Sequence, residues 1–330
     1  MTQTALNVSP DPVLELATAF MGSQQLISAA RIGLFAALAD GPLTSAQLAE
    51  ATKRSEHQVR ILADSMAAHG LLVRTDGSYE LTDVARAYLA GDAAELDLTG
   101  FLNFLGTISY DQWRGYQKTV DTDAAGVLEL DEAGWGEFMA GVSGYNELHA
   151  QQFVREFDVA PFKRVLDLGT LSPSFSVNLL KANAEATVDF VVDPAFTPAV
   201  EGAAAAAGVS DRVTVVGAAT ESAAPEGEHD LVMVNHVLHR FSVEQNRAIL
   251  KAARAAAAPG ATLLVLDFYL DSDAVPRKLD AVHAGEYYNI DGTFVFPREE
   301  VEGWVREAGF EPTELLALPG SPRLLVAKAV

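Results

Sequence analysis

Gly169 closes the apolar run Val165-Leu166-Asp167-Leu168, and Asp193 follows another, Phe190-Val191-Val192. A glycine at the end of one strand allows close backbone approach, and an acid at the end of the next can accept hydrogen bonds from ribose hydroxyls. That pairing points to a nucleoside-bearing cofactor, although acids after strands also serve as plain turn residues. A second group lies upstream, where residues 98–160 are helical in pattern and rich in rings, including Tyr110, Trp113, Trp135, Tyr145 and Phe153. Most of these read as core. Tyr110-Asp111, Tyr145-Asn146 and His149 set polar groups beside rings, the mixture expected where helices roof a pocket for a flat organic ligand.

The elements that must position these residues change character at Pro161. Beyond it, apolar runs at Arg164–Leu168, Val188–Val192, Val213–Val216, Leu231–Val234 and Thr262–Phe268 alternate with helical stretches such as Ser242–Ala257. Alternation of this kind predicts an α/β fold with a parallel doubly wound sheet, whose ligand crevice lies where the first and fourth strands end. Phe310–Leu318 and Arg323–Ala329, around Pro319-Gly320-Ser321-Pro322, form a closing hairpin that supplies one antiparallel edge strand. Before residue 98 the pattern is a long helix from Asp11 to Leu38, a helix capped by Thr44, and another from Ser55 to His69-Gly70. A hairpin at Asp76-Gly77 completes a winged helix-turn-helix.

Composition narrows the partners. The 330 residues carry Lys+Arg 23 and Asp+Glu 45, a net charge of −22, so nucleic acid and anionic membranes are poor partners. Residues 1–98 hold six basic and twelve acidic side chains, so the winged helix lacks the basic stripe that DNA reading requires. Its apolar first helices suit a protein-protein interface better. With no cysteine there are no disulfides, thiolate metal sites or cysteine nucleophiles. Neither a basic-then-apolar leader in Met1–Pro12 nor a stretch near the ~18 apolar residues of a membrane span is present, so a cytoplasmic location is expected.

A set of ordered motifs resembles a known family. Ala29-Ala30-Arg31-Ile32-Gly33-Leu34-Phe35, Leu43–Ala49, His69-Gly70-Leu71-Leu72, Tyr79-Glu80-Leu81-Thr82, Val165–Gly169, Val237-Leu238-His239 and Glu307-Ala308-Gly309-Phe310 are similar to the S-adenosylmethionine-dependent O-methyltransferases of the plant caffeate and bacterial polyketide-tailoring type. The resemblance runs from about residue 12 to the end. It implies a winged-helix dimerisation domain over 1–97, a helical linker and pocket roof over 98–160, and a Rossmann-like class I methyltransferase domain over 161–330. A homodimer with a small aromatic or polyketide-like acceptor follows from it. The cofactor would be S-adenosylmethionine, held by Gly169, Asp193, Gly217, Ala218 and Asn235, and the acceptor pocket would comprise Tyr110, Trp113, Tyr145, His149, His283 and Tyr287.

Within that resemblance His239 matches the general base that takes the acceptor's hydroxyl proton, a task suited to imidazole, which titrates near neutrality. Asp267 matches its orienting carboxylate; the family has glutamate there, so the shorter side chain calls for a bridging water. The second flanking carboxylate falls on Val295, and the residue after the histidine, usually Asp, is Arg240. The glycine-rich loop becomes Gly169-Thr170-Leu171-Ser172-Pro173-Ser174, and the Gly-Asp pair after the third strand becomes Gly217-Ala218, so the expected cofactor affinity is reduced or lost. His149 and His283 fall where the family places methionines, which raises a His149, His239 and His283 metal trio; separate polar contacts are the simpler reading. His236 reads as helix packing. Two alternatives to methyl transfer follow: an enzyme that keeps the pocket but performs decarboxylation, hydroxylation, cyclisation or a metal-dependent step, and a non-catalytic ligand sensor, which the His239 and Asp267 pair disfavours.

Overall fold

The computed structural model describes residues 8–272 and 275–330. The reading of Met1–Pro12 falls partly on residues 1–7, which lie outside the described residues. The chain divides into two units, residues 1–111 with 130–144, and residues 112–129 with 145–330.

In the first unit, α1 (Asp11–Arg31) stops well before Leu38. Gly33 takes φ +73, a left-handed conformation that an α-helix cannot continue through, and α2 (Leu34–Ala37) starts afresh. β1 (Leu43–Thr44) leads into α3 (Ser45–Thr52), whose start is fixed by a capping box: Thr44 Oγ1 accepts from Gln47 N–H, and the Gln47 side chain accepts from Thr44 N–H. In α4 (Glu56–Ala68), Val59, Ala63 and Met66 lie on one face and are buried with Leu34, Phe35, Leu38 and Leu48. β2 (Leu72–Thr75) and β3 (Ser78–Leu81) pair across Asp76-Gly77, both at positive φ. β1 adds to β3, so the wing has three strands rather than two; a two-residue strand leaves no periodic signal in sequence. α5 (Asp83–Leu89) and α6 (Thr99–Phe104) follow, then a π-helical turn over Leu105–Ser109 before α7 (Tyr110–Arg114).

Beyond α8 (Tyr116–Thr122) and α9 (Glu132–Glu156), the second unit is built on a seven-stranded sheet. Its strands are β4 (Arg164–Leu168), β5 (Thr187–Val192), β6 (Val213–Gly217), β7 (His229–Met233), β8 (Ala257–Asp267), β9 (Phe310–Ala317) and β10 (Arg323–Ala329), in the order β6-β5-β4-β7-β8-β10-β9. The first five are parallel. β10 inserts between β8 and β9 and is antiparallel to both, so the one antiparallel strand expected is present but lies inside the sheet, and the edge strand β9 runs parallel with the first five. The helices α10 (Ser174–Ala182), α11 (Thr197–Ala206), α12 (Val243–Ala256), α13 (Lys278–Ile290) and α14 (Arg298–Glu307) alternate with the strands. Two apolar cores include strand residues pointing to opposite sides, Leu166 and Leu168 in one and Val165 in the other. Strand order reverses between β4 and β7, and the crevice at their carboxyl ends is the topological switch point. Among the described residues no helix is long and apolar enough to cross a membrane.

Candidate active site

The loop after β7 is tied to the end of β8 by its own backbone, with Val234 N–H donating to Leu264 O and His236 N–H to Leu266 O, both at 2.8 Å. It then enters a short 3-10 turn, Leu238–Arg240, that carries His239 to Asp267. His239 Nδ1 lies 3.0 Å from both carboxylate oxygens, and the backbone N–H groups of His239 and Phe268 donate to the same carboxylate at 3.3 and 3.0 Å. The contact is direct, so aspartate reaches the ring without the expected water. Burial alone would raise the Asp267 carboxyl, but the imidazole and these donors hold it below its ordinary value. A carboxylate only accepts, so Nδ1 carries the proton and Nε2 keeps its lone pair. Val295 is buried and apolar, leaving Asp267 as the carboxylate of this pair.

Rings from three elements surround that pair. Tyr287 on α13 packs against His239 with centroids 4.7 Å apart, and Phe268 stacks on His283 at 4.1 Å. His283 Nδ1 donates to Leu279 O at 2.8 Å, so its Nε2 accepts from Tyr145 Oη at 3.1 Å. Tyr145 also meets His149 edge-on at 4.0 Å. His149 Nδ1 and His236 Nε2 are 3.0 Å apart, an imidazole-to-imidazole hydrogen bond that requires one ring to donate and the other to accept. Burial pushes His149 well down, His236 to about 3 and His283 down, so all three are neutral at pH 7.

His236 is not on a helix. It holds φ +54 in the loop after β7, a conformation that side chains other than glycine seldom adopt and that concentrates at functional sites. Trp113 Nε1 donates to the Glu286 carboxylate, and its ring lies 4.6 Å from Tyr116. Tyr110 begins α7 and belongs to the first unit. Among the described residues, the group whose ligand atoms lie within 4.8 Å of one another is His236, His239 and Asp267; His149 and His283 are outside it. His236, Arg240, Phe268 and Glu286 were missing from the site residues chosen by sequence. Only Arg240 carried a signal, as a departure from the family motif.

The crevice fits the nucleoside half of an S-adenosylmethionine-type cofactor. Gly169 holds φ +82, and a Cβ there would come within 2.3 Å of the Thr220 side chain, so only glycine suits. Asp193 is exposed at the end of β5; one carboxylate oxygen accepts from Ala195 N–H at 2.9 Å and the other is open to a diol. Ala218 N–H is held by Val192 O at 2.8 Å beside Gly217. The altered loop folds inward: Thr170 is buried, donating to Ser172 O at 2.8 Å and accepting from Ser172 N–H at 3.1 Å. Pro173 precedes the first turn of α10 without a side-chain cap. Asn235 is buried with its carboxamide oxygen accepting from Leu266 N–H at 3.2 Å, so that group is already engaged.

Fold and site together define a class I methyltransferase architecture with an N-terminal dimerisation module. Residues 145–315 match the methyltransferase domain family and residues 14–91 the O-methyltransferase dimerisation domain, so the chain belongs to this methyltransferase family and is an O-methyltransferase-like enzyme. It is 28% identical over 325 residues to a 3-hydroxy-5-methyl-1-naphthoate 3-O-methyltransferase of Streptomyces sahachiroi, covering 94% of this chain and 93% of that one. It is 24% identical over 331 residues to the tetracenomycin polyketide synthesis 8-O-methyl transferase TcmO of Streptomyces glaucescens, covering 97% and 96%. In fold it is similar to CalO1, a methyltransferase of calicheamicin biosynthesis solved with S-adenosylhomocysteine bound, with a TM-score of 0.86 at 18% identity over 99% and 100% of the two chains.

Proposed function

We propose that this enzyme transfers a methyl group from S-adenosylmethionine to a hydroxyl of a planar aromatic or polyketide-like natural product, with His239 as general base. The observation that carries this is the direct 3.0 Å contact of His239 Nδ1 with Asp267, which fixes the tautomer and leaves Nε2 as the acceptor. S-adenosylmethionine, when bound, supplies an electrophilic methyl group. Gly169, Asp193, Gly217 and Ala218 hold its nucleoside, while the acceptor hydroxyl gives its proton to His239 Nε2 and Asp267 stabilises the resulting imidazolium. Tyr287, Phe268 and His283 flank a flat acceptor, and Tyr145, His149 and Trp113 complete its pocket. The similarity to relatives named for naphthoate and tetracenomycin chemistry supports the acceptor class and a role in secondary metabolism.

The test is incubation with S-adenosylmethionine and a panel of hydroxylated planar aromatics, followed by mass spectrometry. A product heavier by one methyl group is expected, and His239→Ala should lower turnover by ~10²–10⁴. Full turnover in that variant overturns the general-base role. A second reading, a non-methylating reaction in the same pocket, is favoured by one observation: in the loop after β4, Thr170 folds inward onto Ser172 and Pro173 leads into α10 where the family has glycines. Conversion of acceptor without S-adenosylhomocysteine release would establish it instead.

The same proposal includes a cytoplasmic homodimer assembled through the first unit. Leu16 is 76% exposed and Phe20 51% exposed on α1, with Val13, Leu14 and Met21 beside them, an apolar face that a second copy would cover. Light scattering should give twice the chain mass, and Leu16→Glu with Phe20→Glu should give monomer; a monomeric wild type at micromolar concentration overturns the dimer.

A further inference from the structure

Arg240 follows His239 on the 3-10 turn and sits at the switch point itself. Its Nε donates to His236 O at 3.0 Å, after β7, and one Nη donates to Gly169 O, at the end of β4. The guanidinium thus bridges the two strand ends that bound the crevice. Five N–H donors belong to an arginine, and these two bonds leave three without an acceptor among the described residues. Among the described residues no carboxylate lies within 4.0 Å of it; the Phe241 ring is 5.2 Å away, and the Asp267 carboxylate acts on it from farther off.

Other arginines of this unit show what the fold ordinarily provides. Arg323 is held by Asp271 at 2.8 Å and Asp280 at 2.6 Å, and Arg277 by Asp280 at 3.0 Å. Among the described residues Arg212 lacks a carboxylate but binds the Leu180 and Asn183 carbonyls at the C-terminal end of α10, where the helix dipole is negative, and the Ala186 carbonyl just beyond. Arg240 has neither arrangement. Burial pulls it down to about 10 against the more distant Asp267 carboxylate, so it stays protonated at neutral pH, and a part-buried cation with no carboxylate in contact is costly. The free N–H groups form a planar fork, the geometry that grips a carboxylate with two parallel bonds.

We propose that Arg240 is a carboxylate-binding residue, and that the bound ligand supplies a carboxylate in contact with the N–H groups left over from its two backbone bonds. The inference rests on the crevice being the ligand site of the proposed function, not on methyl transfer. The carboxylate has two sources, the amino-acid end of the cofactor or a carboxylated aromatic acceptor, and a pair of ligands separates each. Calorimetry on the full chain compares S-adenosylhomocysteine with methylthioadenosine, which lacks the amino-acid end, and 3-hydroxy-2-naphthoate with 2-naphthol, which lacks the carboxylate.

In one pair the carboxylated member should bind at least about tenfold tighter, as expected for a charge-assisted bidentate bond. Arg240→Gln should abolish that preference while leaving the uncharged member within about twofold, and Arg240→Lys should keep part of it. Response in the adenosyl pair assigns the cofactor, and response in the naphthyl pair assigns the acceptor. Absence of any carboxylate preference in the wild type overturns the proposal, even where a variant fails to fold, and so does a preference unchanged by Arg240→Gln. Because binding is read without turnover, failure of the methyl-transfer reading is distinguishable: it would appear as intact carboxylate preference with no methylated product.

Discussion

Two aspartates at the heart of the sheet are equally buried and oppositely treated. Asp267, at the end of β8, receives the His239 ring and two backbone N–H groups, which hold its carboxyl below the ordinary range. Asp167, inside β4 with Phe190 and Met233 opposite it, receives one hydrogen bond from Ser176 Oγ at 2.6 Å, and its Oδ1 has no partner among the described residues. Burial pushes it up to about 7. A strand end opens into a loop whose free N–H groups can solvate an anion, whereas a strand interior spends its N–H groups on neighbouring strands. Position along the strand therefore decides which of two identical side chains can serve as an ionised partner in acid–base chemistry.

Breaking that contrast gives predictions of decreasing size. Asp267→Asn should lower turnover, by less than the ~10²–10⁴ expected for His239→Ala, since His239 retains its position but loses its counter-charge. Unchanged turnover with folded protein would show that the carboxylate plays no part. Asp167→Asn should act the other way, on stability. A carboxyl raised from 3.8 to about 7 binds a proton more tightly folded than unfolded, so its contribution is intact below 3.8 and is lost as pH rises through 7. By pH 8 the ionised wild type bears a penalty of up to about 4 kcal/mol that the amide escapes. Denaturant titration at pH 4 and pH 8 should show the variant's advantage only at the higher pH; equal curves at pH 8 would contradict the buried, poorly solvated carboxyl.

The His236 and His149 pair sharpens the comparison from the basic side. His236, lowered from 6.5 to about 3, is neutral in the folded chain, so its contribution is present above 6.5 and lost as pH falls toward 3. His236→Asn keeps a residue that tolerates positive φ and costs about 1 kcal/mol at pH 7 for the lost hydrogen bond. Stability of the variant should decline less steeply between pH 6.5 and 3 than that of the wild type. Identical slopes would mean that His236 is not the group that charges.

The contrast also explains what could be read in advance. β4 and β10 coincide with the apolar runs Arg164–Leu168 and Arg323–Ala329, because strands buried on both faces leave continuous hydrophobic signals. The caps at Thr44 and Ser55 are local chemistry and stood where expected, and the helix expected from Ser242 begins at a capping box there. Placement of β10 between β8 and β9 was hidden, since both orders of that hairpin expose the same pattern. Asp193 and Gly169 were marked by their places at strand ends, while His236 looked like packing because the sequence around it carries no sign of its left-handed backbone.

By itself, then, the sequence determined the alternation of strands and helices, the family motifs, the acidic surface and the loss of the loop glycines, all properties of residue order over short distances. Only the tertiary structure decided that His239 meets Asp267 directly, that His149 bonds to a second imidazole, and that Arg240 spans two strand ends with no carboxylate in contact among the described residues. These contacts join residues 28, 87 and 71 positions apart. Their geometry follows from sheet register and loop path, and each side chain's charge follows from the donors, acceptors and burial it meets there, none of which residue type alone can specify.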